Sequence, residues 1–266
     1  MLGRHIFEHF SRLQKEFNVS TLSTSSFKVS PNHYILDLTN INEFSQFLEF
    51  NHFDLVIHCA AYTNLEYCRQ NPEKTEILHI KVPELLSKSI KTVIYISSDS
   101  VFDGVKGDYN ESDKPNPLNI YSATKRKGEL EVKSNSEKAF IIRCNIFGFQ
   151  IPMRNSLFEW GYKELVQEKS INGFSNVIFN PVYTGSLAAM LLEFYKLFPE
   201  SGIYNFGCRK ALSKYDFLIK VAEVFGFDQL RINRVAIDPV SLGERRPLKT
   251  NLNTLKLESC GLQAPT

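Results

Sequence analysis

The chain has 266 residues, 43% hydrophobic and 23% charged, which fits one large α/β domain or a domain with a smaller lobe. Its net charge of +2, with basic residues scattered, gives no support for a nucleic-acid or membrane partner. Five cysteines without Cys-x-x-Cys or metal-ligand spacing, with no apolar leader and no run of transmembrane length, make a reducing, cytoplasmic setting the expectation.

Residues 2–17 read as an amphipathic helix, because Leu2, Ile6, Phe10, Leu13 and Phe17 recur near a 3.6-residue period. Asn18–Ser23 and Tyr34–Asp37 are short strand candidates, and Ile41–Phe50 is a helix with Phe44, Phe47 and Leu48 inward. Asp54–Ala61 is a continuous apolar run, as strands of a parallel sheet are. Within it, His58 reads as a satisfied strand histidine and Cys59 as core. Asn71-Pro72-Glu73 opens a helix reaching about Ser89, and Thr92–Ser97 is the next strand. A loop rich in Gly, Asp, Asn and Pro then runs from Phe102 to Asn119 into a helix through Tyr121, and Ala139–Arg143 is a further strand. This alternation makes residues 1–150 an α/β, Rossmann-like doubly wound parallel sheet.

Beyond Gly148 the pattern loosens. Helices are expected at 155–167, 185–198 and 213–225, and strands at 177–179, 203–206 and 231–237. Residues 151–266 are expected to form a smaller lobe, with a segment at about 175–200 returning to the sheet.

One pair stands out chemically. Tyr121 and Lys125 lie one turn apart on a helix face, and an ammonium beside a phenol stabilises the phenolate and lowers its pKa. Ser98, at the end of the strand before, offers a hydroxyl to a substrate oxygen. With 11 tyrosines in the chain, about one Tyr-x-x-x-Lys is expected by chance. Its setting raises its weight: Ala60-Ala61, Ser97-Ser98 and Asn145 all fall at the carboxyl ends of strands, where open α/β sheets bind ligands. Arg126 and Lys127, beside Lys125, are read as exposed.

A series of stretches follows in order: Cys59-Ala-Ala-Tyr-Thr63, Tyr95-Ile-Ser-Ser-Asp-Ser-Val-Phe-Asp-Gly104 and Pro117-Leu-Asn-Ile-Tyr-Ser-Ala-Thr-Lys125 with Gly128-Glu129. Then come Asn180-Pro-Val-Tyr183, Leu212-Ser-Lys-Tyr215 and Arg245-Arg-Pro247. Together they resemble the extended short-chain dehydrogenase/reductase superfamily, in its dTDP-4-dehydrorhamnose reductase branch, over nearly the whole chain. The resemblance implies an NAD(P)H-dependent reductase of a nucleotide-linked 4-keto-6-deoxysugar, serving surface polysaccharide synthesis. Tyr121 would protonate the developing alkoxide, Lys125 would hold the nicotinamide ribose, and Ser98 would bond the reacting oxygen. Gly3, Asp37, Ala60, Ala61 and Thr63 would meet the cofactor, and Asn155, Phe158 and Arg246 the sugar nucleotide, which would make 151–266 the substrate-binding lobe. A homodimer is the expected assembly. Two alternatives stay open: an epimerase or dehydratase of the same fold, and a non-catalytic NADP-binding homologue resembling the regulatory subunit of methionine adenosyltransferase.

The sequence departs from the superfamily pattern at its start. Met1-Leu2-Gly3 matches only the last glycine of the phosphate-binding turn and the helix after it. The expectation is therefore a truncated start, two unpaired sheet edges and weak NADPH binding. His79 falls where the superfamily often has asparagine, and Ser100 where this branch usually has tyrosine. Ser23-Thr24-Ser25-Ser26, with Lys28 near and no carboxylate, favours NADP over NAD.

Overall fold

The computed structural model describes residues 1–13, 15–24, 32–197, 199–238 and 245–265. In chain order the elements are α1 (Leu2–Ser11), β1 (Thr21–Ser23), β2 (His33–Ile35), α2 (Ile41–Phe50), β3 (Leu55–His58), α3 (Leu65–Gln70) and α4 (Pro72–Glu76). A π-helical turn (Ile77–Lys81) leads into α5 (Val82–Ser89), β4 (Thr92–Ile96), α6 (Ile120–Asn135), β5 (Lys138–Cys144), β6 (Ile146–Phe147) and α7 (Leu157–Val166). Then come β7 (Ile171–Phe174), β8 (Ile178–Phe179), β9 (Val182–Tyr183), α8 (Thr184–Lys196), β10 (Gly202–Phe206), β11 (Leu212–Ser213), α9 (Lys214–Phe225), β12 (Ile232–Val235) and α10 (Leu255–Ser259). Among the described residues no helix is long and apolar enough to cross a membrane.

The central sheet is parallel in the order β10-β5-β4-β3. Every residue of β4 is buried, because both faces of the sheet are covered and side chains alternate between them. Ile94 and Ile96 point to one face, against Leu2, Ile6 and Phe10 of α1 and Leu187, Leu191 and Phe194 of α8. Val93 and Tyr95 point to the other, with Val132 of α6. Each fully buried large side chain of this kind contributes about 1.5–3 kcal/mol.

β1 and β2 form a parallel pair of their own. Among the described residues β3 pairs only with β4 and β1 only with β2, so two strand edges carry no ladder partner. Burial is correspondingly lower there: β1 and the first three residues of β3 are only half-buried.

Several elements differ from expectation for physical reasons. The first helix stops at Ser11 rather than at residue 17, since the chain turns at Leu13, whose carbonyl accepts from Phe17 N–H. Phe17 still reaches the same core, its ring 5.1 Å from that of Phe10. The single helix expected from Asn71 to Ser89 contains the π turn, which is read as helix from its apolar spacing alone. A Cβ on Gly128 of α6 would lie 2.1 Å from the His79 carbonyl in that turn. Glycine is therefore what lets α6 approach. Of the segment at 175–200, α8 covers the sheet face, and β10 is the strand that joins the sheet beside β5. Beyond it, α7, β7, α9 and β12 enclose a separate cluster around Leu165, Ile171 and Leu218.

Candidate active site

β4 ends at Ile96, and Ser97, Ser98 and Asp99 lie buried just past its carboxyl end. The Ser98 hydroxyl lies 3.2 Å from Asp99 Oδ1 and 2.6 Å from Ser100 Oγ, close enough to the Tyr121 phenol to pull its pKa downward. Tyr121 sits in the first turn of α6, which Asn119 caps through a reciprocal box with Ser122. The structure thus brings Ser98 and Tyr121 together.

Lys125 behaves differently from expectation. The residue is 2% exposed, and its ammonium donates to Ile96 O at 2.8 Å and lies 3.9 Å over the Tyr95 ring. Burial lowers its pKa to about 7, against a raising influence from Glu129. Tyr121, in turn, is not acidified: burial pushes its phenol well above the ordinary value, with Ser98 pulling the other way. The expected lowering by Lys125 fails because the ammonium is spent on a carbonyl and a ring. Tyr121 therefore stays a protonated phenol at neutral pH, as an ordinary tyrosine does, and can give a proton to an alkoxide.

Asp99 is held on every side. Oδ1 accepts from Ser98, and Oδ2 from Asn145 Nδ2 at 2.9 Å and Thr250 Oγ1 at 2.5 Å. Burial raises its pKa against these donors. The carboxylate is a joint between β4, the end of β5 and the C-terminal segment.

Two groups beneath the pair were not legible as functional. His79 Nε2 accepts from Tyr62 N–H at 3.0 Å, so its proton is on Nδ1, 2.8 Å from Thr124 Oγ1. Its ring stands edge-on to Tyr121 at 5.7 Å. Burial lowers its pKa to about 2, and a neutral imidazole ties the loop after β3 to α6. Glu129, fully buried, accepts from Ser97, Arg126 and Arg143. Arg126 is therefore half-buried and paired rather than exposed; Lys127 is exposed. His58 is not fully satisfied as expected: its Nε2 has no partner among the described residues, and its ring stacks 5.8 Å from Tyr95.

On the cofactor side, Ala60 and Ala61 follow β3 half-buried, and Thr63 is exposed. Asp37, past β2, is exposed and turns inward on Thr39, whose N–H and hydroxyl lower its pKa. Gly3 lies in the first turn of α1, where a Cβ would meet nothing within 4 Å. The N-terminus of α1 has no side-chain cap, and the Met1 amine beside it, its pKa lowered by burial, feels the charges of Cys59 just past β3 and of Arg154. An uncapped helix start with an open glycine there fits a dinucleotide's pyrophosphate. Of the residues that favour NADP, Ser25, Ser26 and Lys28 lie outside the described residues.

On the substrate side, Asn155 is exposed just before the Ser156 cap of α7. Phe158 is 6% exposed and packs with Phe179, Phe217 and Val221. Packing accounts for it, and the neighbouring ring that reaches the surface is Phe149. Arg246 is exposed, and its loop is fastened to α6 by Asn119 Nδ2 donating to Arg245 O at 3.0 Å.

A doubly wound parallel sheet with serine at a strand end and Tyr-x-x-x-Lys on the next helix defines a Rossmann-like protein of the short-chain dehydrogenase/reductase type. Residues 1–266 match the RmlD substrate binding domain, and the chain belongs to that family. It is 26% identical to methionine adenosyltransferase 2 subunit beta of Xenopus tropicalis over 98% of this chain and 80% of that one. With the probable low-salt glycan biosynthesis reductase Agl14 of Haloferax volcanii it shares 28% identity, covering 89% and 81% of the two chains. The structure of dTDP-4-dehydrorhamnose reductase from Bacillus anthracis in complex with NADP superposes with a TM-score of 0.79 at 24% identity, over 96% of this chain and 90% of that one.

Proposed function

We propose that this protein is a reductase that uses NADPH, in preference to NADH, to reduce a nucleotide-linked 4-keto-6-deoxysugar. Residues 1–150 would bind the dinucleotide and 151–266 the sugar nucleotide. The bound nicotinamide would supply the hydride. Ser98 orients the keto oxygen, and Tyr121, a protonated phenol at neutral pH, gives its proton as charge develops on that oxygen. Lys125 would hold the ribose, with Gly3, Asp37, Ala60, Ala61 and Thr63 along the cofactor and Asn155 and Arg246 on the sugar nucleotide.

The observation that carries this reading is the saturated Asp99, whose oxygens are held by Ser98, Asn145 and Thr250 while the Tyr121 phenol stands beside Ser98. Elimination of water by a dehydratase needs an acid or base turned to the sugar. Asp99 has its oxygens committed to neutral donors, and its neighbour is Ser100. One protonated phenol suffices for a reduction.

The second reading, a dinucleotide-binding regulatory protein without turnover, is favoured by one observation: the Lys125 ammonium is bonded to Ile96 O rather than turned to the site. Incubation with NADPH and a dTDP-4-keto-6-deoxyhexose separates the two. The reductase reading expects NADPH oxidation that Tyr121→Phe abolishes. Cofactor binding with no oxidation, or oxidation unchanged in that variant, would establish the second reading or sink the first.

A further inference from the structure

Glu129 is fully buried on α6, one turn beyond Lys125. Its Oε1 accepts from Ser97 Oγ at 2.6 Å and Arg143 Nε at 2.9 Å; its Oε2 accepts from Arg143 Nη2 at 2.8 Å and Arg126 Nη1 at 2.7 Å. Arg143 lies on β5, is 1% exposed, and has its guanidinium 5.0 Å from the Phe102 ring centroid, with Nη1 unpartnered among the described residues. One carboxylate thus joins three elements. It grips the helix that carries Tyr121 and Lys125, the strand end that carries Ser98, and the strand between that end and β10.

Stability is a poor reason for such a pair. Desolvating two charges costs several kcal/mol, and well-packed apolar residues of similar volume often serve as well. An apolar pair gives up the half-exposed Arg126 and, at the buried strand end, the Ser97 hydroxyl, which it cannot hold so as to fix the residue before Ser98. We infer that Glu129 is a positioning residue: with Arg143 as its anchor, it sets the separation between the Ser98 and Tyr121 hydroxyls. The catalytic use of that separation rests on the reductase reading; the mechanical link does not. The titratable groups around Lys125, the nearest such neighbour on the same face, are His58, Cys59, His79, Glu129 and Cys144, with the Tyr95 ring under its ammonium.

The test compares Glu129→Gln with the apolar pair Glu129→Leu/Arg143→Met in the full chain, by thermal melting and by amide hydrogen exchange. The apolar pair is expected to melt close to the unaltered protein while the peptide covering 97–101 exchanges about tenfold faster and Val93–Ile96 is unchanged. A positioning role also predicts a kcat loss of about 10–100-fold with KM nearly constant. If the apolar pair does not fold, the same exchange difference is read in Glu129→Gln. Unchanged exchange at 97–101 in the folded variant overturns the proposal, as does full kcat alongside turnover in the unaltered chain. Should the unaltered chain show no turnover at all, the reductase reading is what fails, and the exchange measurement still decides the role of Glu129.

Discussion

The two sides of the crevice are built in opposite ways. On the β4–α6–β5 side nearly every polar atom is committed: Glu129 to Ser97 and Arg143, Asp99 to Asn145 and Thr250, His79 to Tyr62 and Thr124. On the α1–β1–β3 side, β3 and β1 each end a ladder among the described residues, the start of α1 has no side-chain cap and Gly3 faces open space. The first side is preformed and, on the reductase reading, would serve proton transfer. The second presents backbone that, on the same reading, the cofactor would complete. The contrast teaches that an intact catalytic motif and a competent cofactor site are separate properties of one chain.

Breaking the first side at its chemical centre is expected to have the largest effect. Tyr121→Phe removes the proton donor and is expected to lower kcat by about 10²–10⁴-fold, with NADPH affinity little changed in a fluorescence titration. A loss of affinity as large as the loss of rate would mean that the phenol belongs to the cofactor site instead.

Two glycine substitutions then separate the sides by stability. In Gly128→Ala the new Cβ would meet the His79 carbonyl at 2.1 Å and the Tyr95 hydroxyl at 2.5 Å, so overpacking is expected to cost about 1–3 kcal/mol or more in chemical denaturation. Gly3→Ala meets nothing, and in the first turn of a helix it is expected to be neutral or stabilising by at most about 1 kcal/mol, while NADPH binding weakens. Equal stability changes at the two positions would erase the contrast.

The smallest effect expected is in pH. Lys125 has its pKa lowered to about 7 by burial, against about 10.4 unfolded. Below pH 7 the amine is charged in both states and the fold bears the full cost of burying it; as pH rises above 7 only the folded form loses its proton, and stability increases. Tyr121 and Cys144, raised by burial, act in the opposite sense only above their unfolded values. Lys214, lowered to about 8, contributes in the same window, so the difference between Lys125→Met and the parent isolates Lys125. Unfolding curves from pH 7 to 8.5 should rise less steeply in the variant; parallel curves would show that the amine is not desolvated.

Much of this was legible in the residues and some was not, for definable reasons. Ile41–Phe50 appears at its expected limits, because an asparagine cap and one apolar stripe agree. The strands around Val56, Ile94 and Ile141 stand out as continuous apolar runs because both sheet faces are covered. The π turn was hidden because one extra residue leaves apolar spacing almost unaltered. Glu129–Arg143 was hidden because a pair 14 residues apart, on a helix and the next strand, has no sequence signature. Tyr121 and Lys125 were visible as a motif, but their pKa relation depended on where the ammonium points, and spacing says nothing of that.

The most direct test of the contrast is amide hydrogen exchange of the unaltered chain with and without saturating NADPH. The account predicts added protection in α1, in residues 33–39 and in residues 55–63, with 92–101 and 120–129 already protected and nearly unchanged. Protection gained mainly at 92–101 and 120–129, or none in α1 and after β3, would contradict it.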